Sequence, residues 1–302
     1  MVSLLEQFTA FGTDNVGLER TLRLLQSTAL VLAAYPPLLE LLFSFYPQLM
    51  HADGVATLFQ LGGRLNLIRR TMRLFRFLDA FQSSWAASQT RGKSFEVWCD
   101  VLSRSFWGMF GLAESATLVD LMDIEHLEIF GADLTAEINY QAQMLWLLAL
   151  YASALGSGTR ILRTLAYRAV PQDGGGYGTG EKPVQEACSE KNNTSETVAQ
   201  VADKESTPKE ELEKERERLK DIVSKRKEER KAWSLQVGGQ VANLSVKLLA
   251  DILDMVIPAA TLGWIKVEPG FVGAVMFATT ILTSIDPWRR CTEQVRSRAM
   301  QA

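Results

Sequence analysis

The side chains in this sequence with the clearest potential for chemistry are arginines. Arg69, Arg70, Arg73 and Arg76 lie within LGGRLNLIRRTMRLFRFLDAFQ, residues 61–82. At about 100° per residue they gather on one side of a helix, while Leu65, Ile68, Met72, Phe75 and Leu78 gather on the other. Five arginines in this stretch face one acidic residue, Asp79, and no lysine. A basic helix with a broad Leu/Phe/Met face has the composition of one that lies in a membrane interface, with its cations at anionic headgroups. An Arg-rich outer side of a soluble core helix would show the same pattern. Arg64 and Asp79 both fall on the apolar side of the wheel, which confines an inserted face to Leu65 through Leu78.

Other reactive residue types form no constellation. His51 and His126 stand apart from each other and from any zinc-ligand spacing. Asp120 with Asp123, and Asp251 with Asp254, are i, i+3 carboxylate pairs lacking a companion base or nucleophile, and read as exposed or interface polar positions. His126, among acidic neighbours, reads as a solvated helix surface. Gly174, Gly175 and Gly176 are not set between a strand and a helix, so they do not form a phosphate-binding loop. No GxSxG or P-loop is present. The chain is therefore expected not to be an enzyme and to need no cofactor or metal.

The elements that must position the arginines read as helices throughout. Asp14 or Asn15 can cap a helix in which Leu18, Leu22, Leu25, Ala29 and Leu32 recur, with Glu19, Arg20, Arg23 and Gln26 opposite. Pro36 and Pro37 interrupt it. A second helix runs from Asp53 to about Ser88, with a boundary or kink expected at Gly62-Gly63. Phe95 to about Phe130 is a third, acidic in its second half. Residues 138–159 carry no charge, and 22 helical residues rise about 33 Å, enough for the hydrocarbon of a bilayer. Pro269–Ile285 is a second uncharged run of 17 residues, near the lower limit for a span. Gly270, Ala274 and Ala278 make a small-residue seam along it for helix packing in lipid, as do Ala149, Ser153 and Ser157 in the first run. Trp264 and Trp288 would flank the second run at the two interfaces, with Arg289, Arg290, Arg296 and Arg298 beyond.

The domain reading is an N-terminal helical region that carries the basic segment (1–170), a disordered linker (171–208) rich in Gly, Ser, Thr, Asn and Glu, and a charged helix followed by an apolar hairpin suited to membrane anchoring (209–302). A net charge of −3 over 302 residues, with arginines clustered rather than spread, gives no nucleic-acid footprint. Cys99, Cys188 and Cys291 are odd in number and far apart, as suits a reducing compartment. The sequons at Asn192, Asn193 and Asn243 are then chance matches. The first residues, MVSLLEQFTAFGTDN, have neither the basic start nor the apolar core of a secretory signal.

The pattern as a whole resembles the peroxisomal biogenesis factor 11 family of membrane-elongation peroxins. Asp14 to Gln26 (DNVGLERTLRLLQ) is similar to the family's N-terminal helix. Arg69 to Ala80 (RRTMRLFRFLDA) is similar to its arginine-rich amphipathic segment. Leu118–Leu127 with the apolar helix after it occupies the family's middle region, and Leu249–Pro258 followed by Gly270–Trp288 resembles its C-terminal apolar hairpin. Order and spacing carry the likeness. The long charged insert at 171–231 departs from the shorter members, as in a fungal-type member, and leaves the subfamily open.

The resemblance implies an all-α, membrane-associated helical bundle with amphipathic helices and one or two short hydrophobic membrane-inserted segments. It implies a peroxisomal membrane protein that promotes curvature, elongation and proliferation of the organelle before fission. Expected partners are an anionic lipid membrane, further copies of the chain as a homo-oligomer, and the organelle fission machinery. The membrane-binding role carries over to Arg69, Arg70, Arg73 and Arg76 and to the apolar face opposite. The alternative is a peroxisomal pore-forming or solute-channel protein, against which stands the lack of ionisable residues within the apolar runs. A soluble all-α scaffold is the third reading.

Overall fold

A computed structural model describes residues 3–42, 52–90, 92, 94–122, 124, 126–167 and 208–301. The linker expected over 171–208 lies outside the described residues except for Pro208, as do His51, Asp123, Cys188, Asn192, Asn193 and the Gly174–Gly176 run. Every regular element among the described residues is an α-helix, in agreement with the all-α reading.

Helix α1 (Leu4–Thr13) starts at a capping box in which the Ser3 hydroxyl accepts from the Glu6 amide and the Glu6 carboxylate accepts from the Ser3 amide. Asp14 then caps α2 (Asn15–Ala34) through the Gly17 amide at 3.2 Å. The prolines end α2 as expected, and α3 (Pro36–Leu42) begins with Pro36 at its first position, where the missing N–H costs nothing. Helix α4 (Ala52–Met72) passes through Gly62-Gly63 without a break. The break falls instead at residues 73–75, where amides bond carbonyls three residues back (Arg73 to Arg70, Leu74 to Thr71, Arg76 to Arg73). Helix α5 (Arg76–Ser88) follows, so the stretch 61–82 is two helices joined by a tight turn.

Helix α6 (Phe95–Ala116) and the short α7 (Leu118–Leu121) stop well before Phe130. The described residues after α7, among them 126–131, form a loop held by the Asp120 carboxylate, which accepts from the Ile129 and Phe130 amides at 2.7 and 2.9 Å and from the Thr135 hydroxyl. These bonds to the ionised form draw the Asp120 pKa below the usual carboxylate range. His126 adopts a left-handed backbone (φ 63°) in this loop rather than lying on a helix surface.

Helix α8 (Ala132–Tyr167) carries the first uncharged run, α9 (Pro208–Asp254) contains the charged segment, α10 (Val256–Thr261) is short, and α11 (Pro269–Gln301) carries the second run and continues through Pro287. Residues 1–163 and 241–302 form one compact unit. Within that unit α2 lies against both α4 and α11, and α5 lies against α6. Residues 164–240 form a second unit whose described residues belong to the end of α8 and to α9.

Beside an apolar core that includes Phe11, Leu32, Phe110 and Leu150, the larger unit buries several ionic groups and exposes many large apolar side chains. Glu19, Arg23, Gln26, Arg69, Glu114 and Asp254 are buried, whereas Leu25, Phe75, Leu78, Trp85 and Phe95 stand more than half exposed. Exposed apolar surface on this scale calls for a covering other than water. Two helices, Ala132–Ala166 and Pro269–Met300, are long and apolar enough to cross a membrane. Only 33% of the most apolar window of each is buried, whereas a soluble core helix would be mostly covered.

Candidate functional site

Of the arginines of the 61–82 segment, Arg69, Arg70 and Arg73 are turned inwards, while Arg64 and Arg76 are exposed. Glu19, Arg23 and Gln26 form a polar stripe on α2 at i, i+4 and i+7, and α4 presents Arg69 to it. Arg69 is 5% exposed; its Nε and Nη2 donate to Glu19 Oε1 at 3.0 and 2.7 Å, and its Nη1 donates to Gln26 Oε1 at 2.6 Å. Arg73 reaches the Glu114 carboxylate of α6 at 3.2 Å and lies 4.0 Å from Glu19. The Arg70 Nε stands 3.5 Å from Glu114, and its Nη1 donates to Asn139 Oδ1 of α8 at 3.0 Å. From the same stripe, Arg23 donates to Asp254 Oδ1 at 2.6 Å and to the Thr279 hydroxyl at 3.2 Å, joining α9 and α11 to the same core.

Electrostatics follow from this burial. Burial alone would raise the Glu19 pKa, but the Arg69 guanidinium, with Arg20 and Arg73 behind it, brings the carboxyl down to about 2. At Arg69 burial outweighs the attraction of Glu19, and its pKa falls to about 10. Seen from one partner the pairing wins, and from the other desolvation wins. A buried pair of this kind, its charges desolvated as well as paired, acts chiefly to fix which helices meet.

The apolar positions of the segment divide. Leu65 is buried at 9%, Met72 is half-buried, and Ile68, Phe75 and Leu78 point outward at 47%, 69% and 56% exposure. Arg76, at the start of α5, is exposed. Opposite the outward face, Phe77 and Phe81 of α5 close on α6 at Gly111 and Gly108, where a Cβ would come within 3.2 and 2.6 Å of them. Arg69, Arg70 and Arg73 thus face the protein, while Ile68, Phe75 and Leu78 face away from it. The physical cause is the acidic partners on α2 and α6, which offer the guanidiniums charge-assisted bonds.

In the C-terminal helix, Gly270 packs on Ala34 and Tyr35 of α2, and Gly273 packs on Val31 and Leu30. Ala274 and Ala278 are exposed. The intramolecular stripe is thus Gly270, Gly273, Met276 and Thr280 rather than Gly270, Ala274 and Ala278. Close approach selects glycines at i and i+3, a spacing that the i, i+4 seam did not single out. In α8 the Ala149, Ser153 and Ser157 seam is buried, with the Ser103 hydroxyl donating to the Ala149 carbonyl and the Ser153 hydroxyl donating to Asp251.

Sequence reasoning missed Glu19, Gln26, Glu114, Asn139 and Asp254 as partners of the arginines. The signal was available in the helical spacing of Glu19, Arg23 and Gln26, which reads equally well as a solvated face. The segment ties α4 to α2, α6 and α8 through these contacts and displays Ile68, Phe75 and Leu78 outward.

Over residues 5–288 the sequence matches the family described as Peroxisomal biogenesis factor 11 (PEX11). No curated protein and no solved structure matches the chain. With nearly its whole length matched, the chain belongs to the Peroxisomal biogenesis factor 11 family, a family of peroxisomal membrane proteins with a role in peroxisome proliferation and fission.

Proposed function

We propose that this chain bends and elongates the peroxisomal membrane ahead of fission by seating the outward apolar ridge of α4 and α5 in one leaflet. One observation carries this reading: the guanidiniums of Arg69, Arg70 and Arg73 are engaged inside the bundle while Ile68, Phe75 and Leu78 point away from it. Shallow insertion adds area to one leaflet and favours positive curvature. Each well-buried Leu or Phe contributes up to about 1.5–3 kcal/mol of attachment. Self-association is supported by Ala274 and Ala278, an exposed small-residue pair at i, i+4 on an apolar helix, which suits a second copy at close range. The reading includes the fission machinery as partner and no catalytic step.

The test uses purified full-length chain and vesicles rich in anionic lipid, with tubulation scored by electron microscopy. Phe75→Asp should reduce tubulation several-fold. With three of the arginines engaged internally, attachment should weaken only modestly between about 0.1 and 1 M salt, although such salt shortens the screening length from about 10 to 3 Å. Loss of attachment in high salt would restore the arginines to the headgroups and overturn this arrangement.

A second reading, a solute pore, draws on the charged interior around Arg23, Asp254 and Thr279. Reproducible single-channel conductance from purified protein in planar bilayers would support it, and its absence would count against it.

A further inference from the structure

The turn from α7 into α8 combines exposed apolar side chains with charge of one sign. Leu121, Ile124, Leu127, Ile129, Phe130 and Leu134 are all exposed, Leu127 and Ile129 by more than half. Over the same stretch, 118–137, the sequence has six carboxylates and neither lysine nor arginine. Glu128 and Asp133 are exposed and, among the described residues, enter no ion pair. Asp120 holds the backbone at Ile129 and Phe130, so the patch is presented in one conformation.

Lipid is a poor cover for this patch. Carboxylates without cations are repelled by an anionic surface and are costly in hydrocarbon. The complementary surface is an apolar one edged by cations, and the end of α11 supplies it. From Trp288 to Gln301 it exposes Arg289, Arg290, Arg296 and Arg298 against Glu293 alone, with Met300 79% exposed beside them. Among the described residues only Arg290 of these four is paired, with Asp14. Both surfaces lie towards the same end of the larger unit. Trp288 packs on Phe11 and Arg290 reaches Asp14, both at the start of α2. Helix α4 runs antiparallel to α2, with Gly62 beside Leu30 and Arg69 bonded to Glu19, and Arg70 then bonds Asn139 near the start of α8. Two copies side by side in one membrane therefore present the acidic and the basic surface at the same level.

We infer that the α7–α8 turn of one copy docks on the C-terminal end of α11 of a second copy. Glu128 and Asp133 face the arginines of that end, and Leu127 and Ile129 are covered between the two copies. The inference rests on the self-association in the proposed function and not on membrane bending. Because each copy gives one surface and takes the other, the contact closes as a reciprocal pair or extends along the membrane.

The experiment measures self-association of the full-length chain in neutral detergent by sedimentation. Glu128→Arg with Asp133→Arg, and separately Arg296→Glu with Arg298→Glu, should each weaken it about tenfold or more, because like charges then meet across the contact. Mixed in equal amounts, the two variants should associate as the parent does, since each supplies the sign that the other needs. That recovery also shows both to be folded. Leu127→Ser should weaken association without changing any charge. In membranes, a photo-cross-linking residue at position 127 should capture residues 288–301 of a second copy. Capture of lipid or of another protein instead would give the patch that cover and overturn the docking. Charge variants that associate like the parent, or a mixture that stays apart, would overturn it too and leave Ala274 and Ala278 as the contact between copies. A parent chain that is monomeric throughout would remove self-association itself. Vesicle tubulation is a separate readout, so none of these results decides the curvature reading.

Discussion

The buried pair of Glu19 and Arg69 shows how one residue decides the orientation of a helix. Removing Glu19 leaves the buried Arg69 guanidinium with only Gln26 as acceptor, a loss of about 3–5 kcal/mol, whereas without Arg69 the Glu19 carboxylate keeps Arg20 at 3.7 Å and Arg73 at 4.0 Å. Glu19→Gln should therefore lower the thermal midpoint in detergent sharply. Glu19→Leu combined with Arg69→Met should be less destabilised than Glu19→Leu alone, because the unpaired guanidinium leaves with its partner, although Gln26 then loses its donor. A double variant no better than the worse single one would show that the pair is not coupled. The same carboxylate sets an acid limit. Its folded pKa of about 2 lies below the ordinary value of 4.5, so its contribution is complete above pH 4.5 and is lost as pH falls towards 2. The midpoint should drop through that window in the parent chain, and Glu19→Gln should flatten that part of the profile.

At the scale of elements, glycines with neighbours and glycines without them should respond with opposite sign. A Cβ on Gly17 would lie 2.1 Å from the Phe11 carbonyl oxygen, which is backbone and cannot swing aside. Gly17→Ala should push α1 off α2, cost on the order of 1–3 kcal/mol and increase hydrogen exchange across Leu4–Thr13. Gly63 has nothing within 4 Å of its added Cβ and lies inside α4. Gly63→Ala should stabilise by up to about 1 kcal/mol through helix propensity alone. Most helices were legible because caps, prolines and apolar periods are local: Asp14 caps α2 and Pro36 opens α3 as their types require. The 73–75 turn was not legible, because the wheel through Arg73 and Phe75 stays in phase and only the ion pairs of Arg70 and Arg73 with Glu114 draw the chain out of line. The direction each face points was hidden for a different reason. Periodicity separates two faces but does not say which is inside, and where the surroundings are lipid the apolar side can be the outer one.

That ambiguity resolves only for the molecule as a whole. Leu18 and Leu25 of α2 belong to the apolar stripe expected to form a core, yet they are 38% and 53% exposed, while Ala29 and Leu32 lower on the same helix are buried. Helix α6 repeats the division, with Phe95 and Trp98 out and Phe110 in, beside the buried Glu114. In water such a molecule would leave large apolar side chains hydrated and gain little by burying its ion pairs. In a bilayer the same arrangement covers the outward side chains and keeps the charges away from hydrocarbon. Helices α8 and α11, with 36 and 33 residues, rise about 50 Å each, longer than the roughly 30 Å of hydrocarbon, so each has length to spare beyond the apolar window. Alkaline carbonate extraction of membranes holding the full chain separates an integral arrangement from a peripheral one. The chain should stay in the pellet, because carbonate strips proteins held by surface charge but does not displace spans. Arg76→Ala should not change that partition, whereas Val275→Asp, which puts a charge in the second apolar run, should weaken retention. Recovery of the parent chain in the supernatant would mean that another protein covers the outward apolar surface and would remove the spanning roles of α8 and α11.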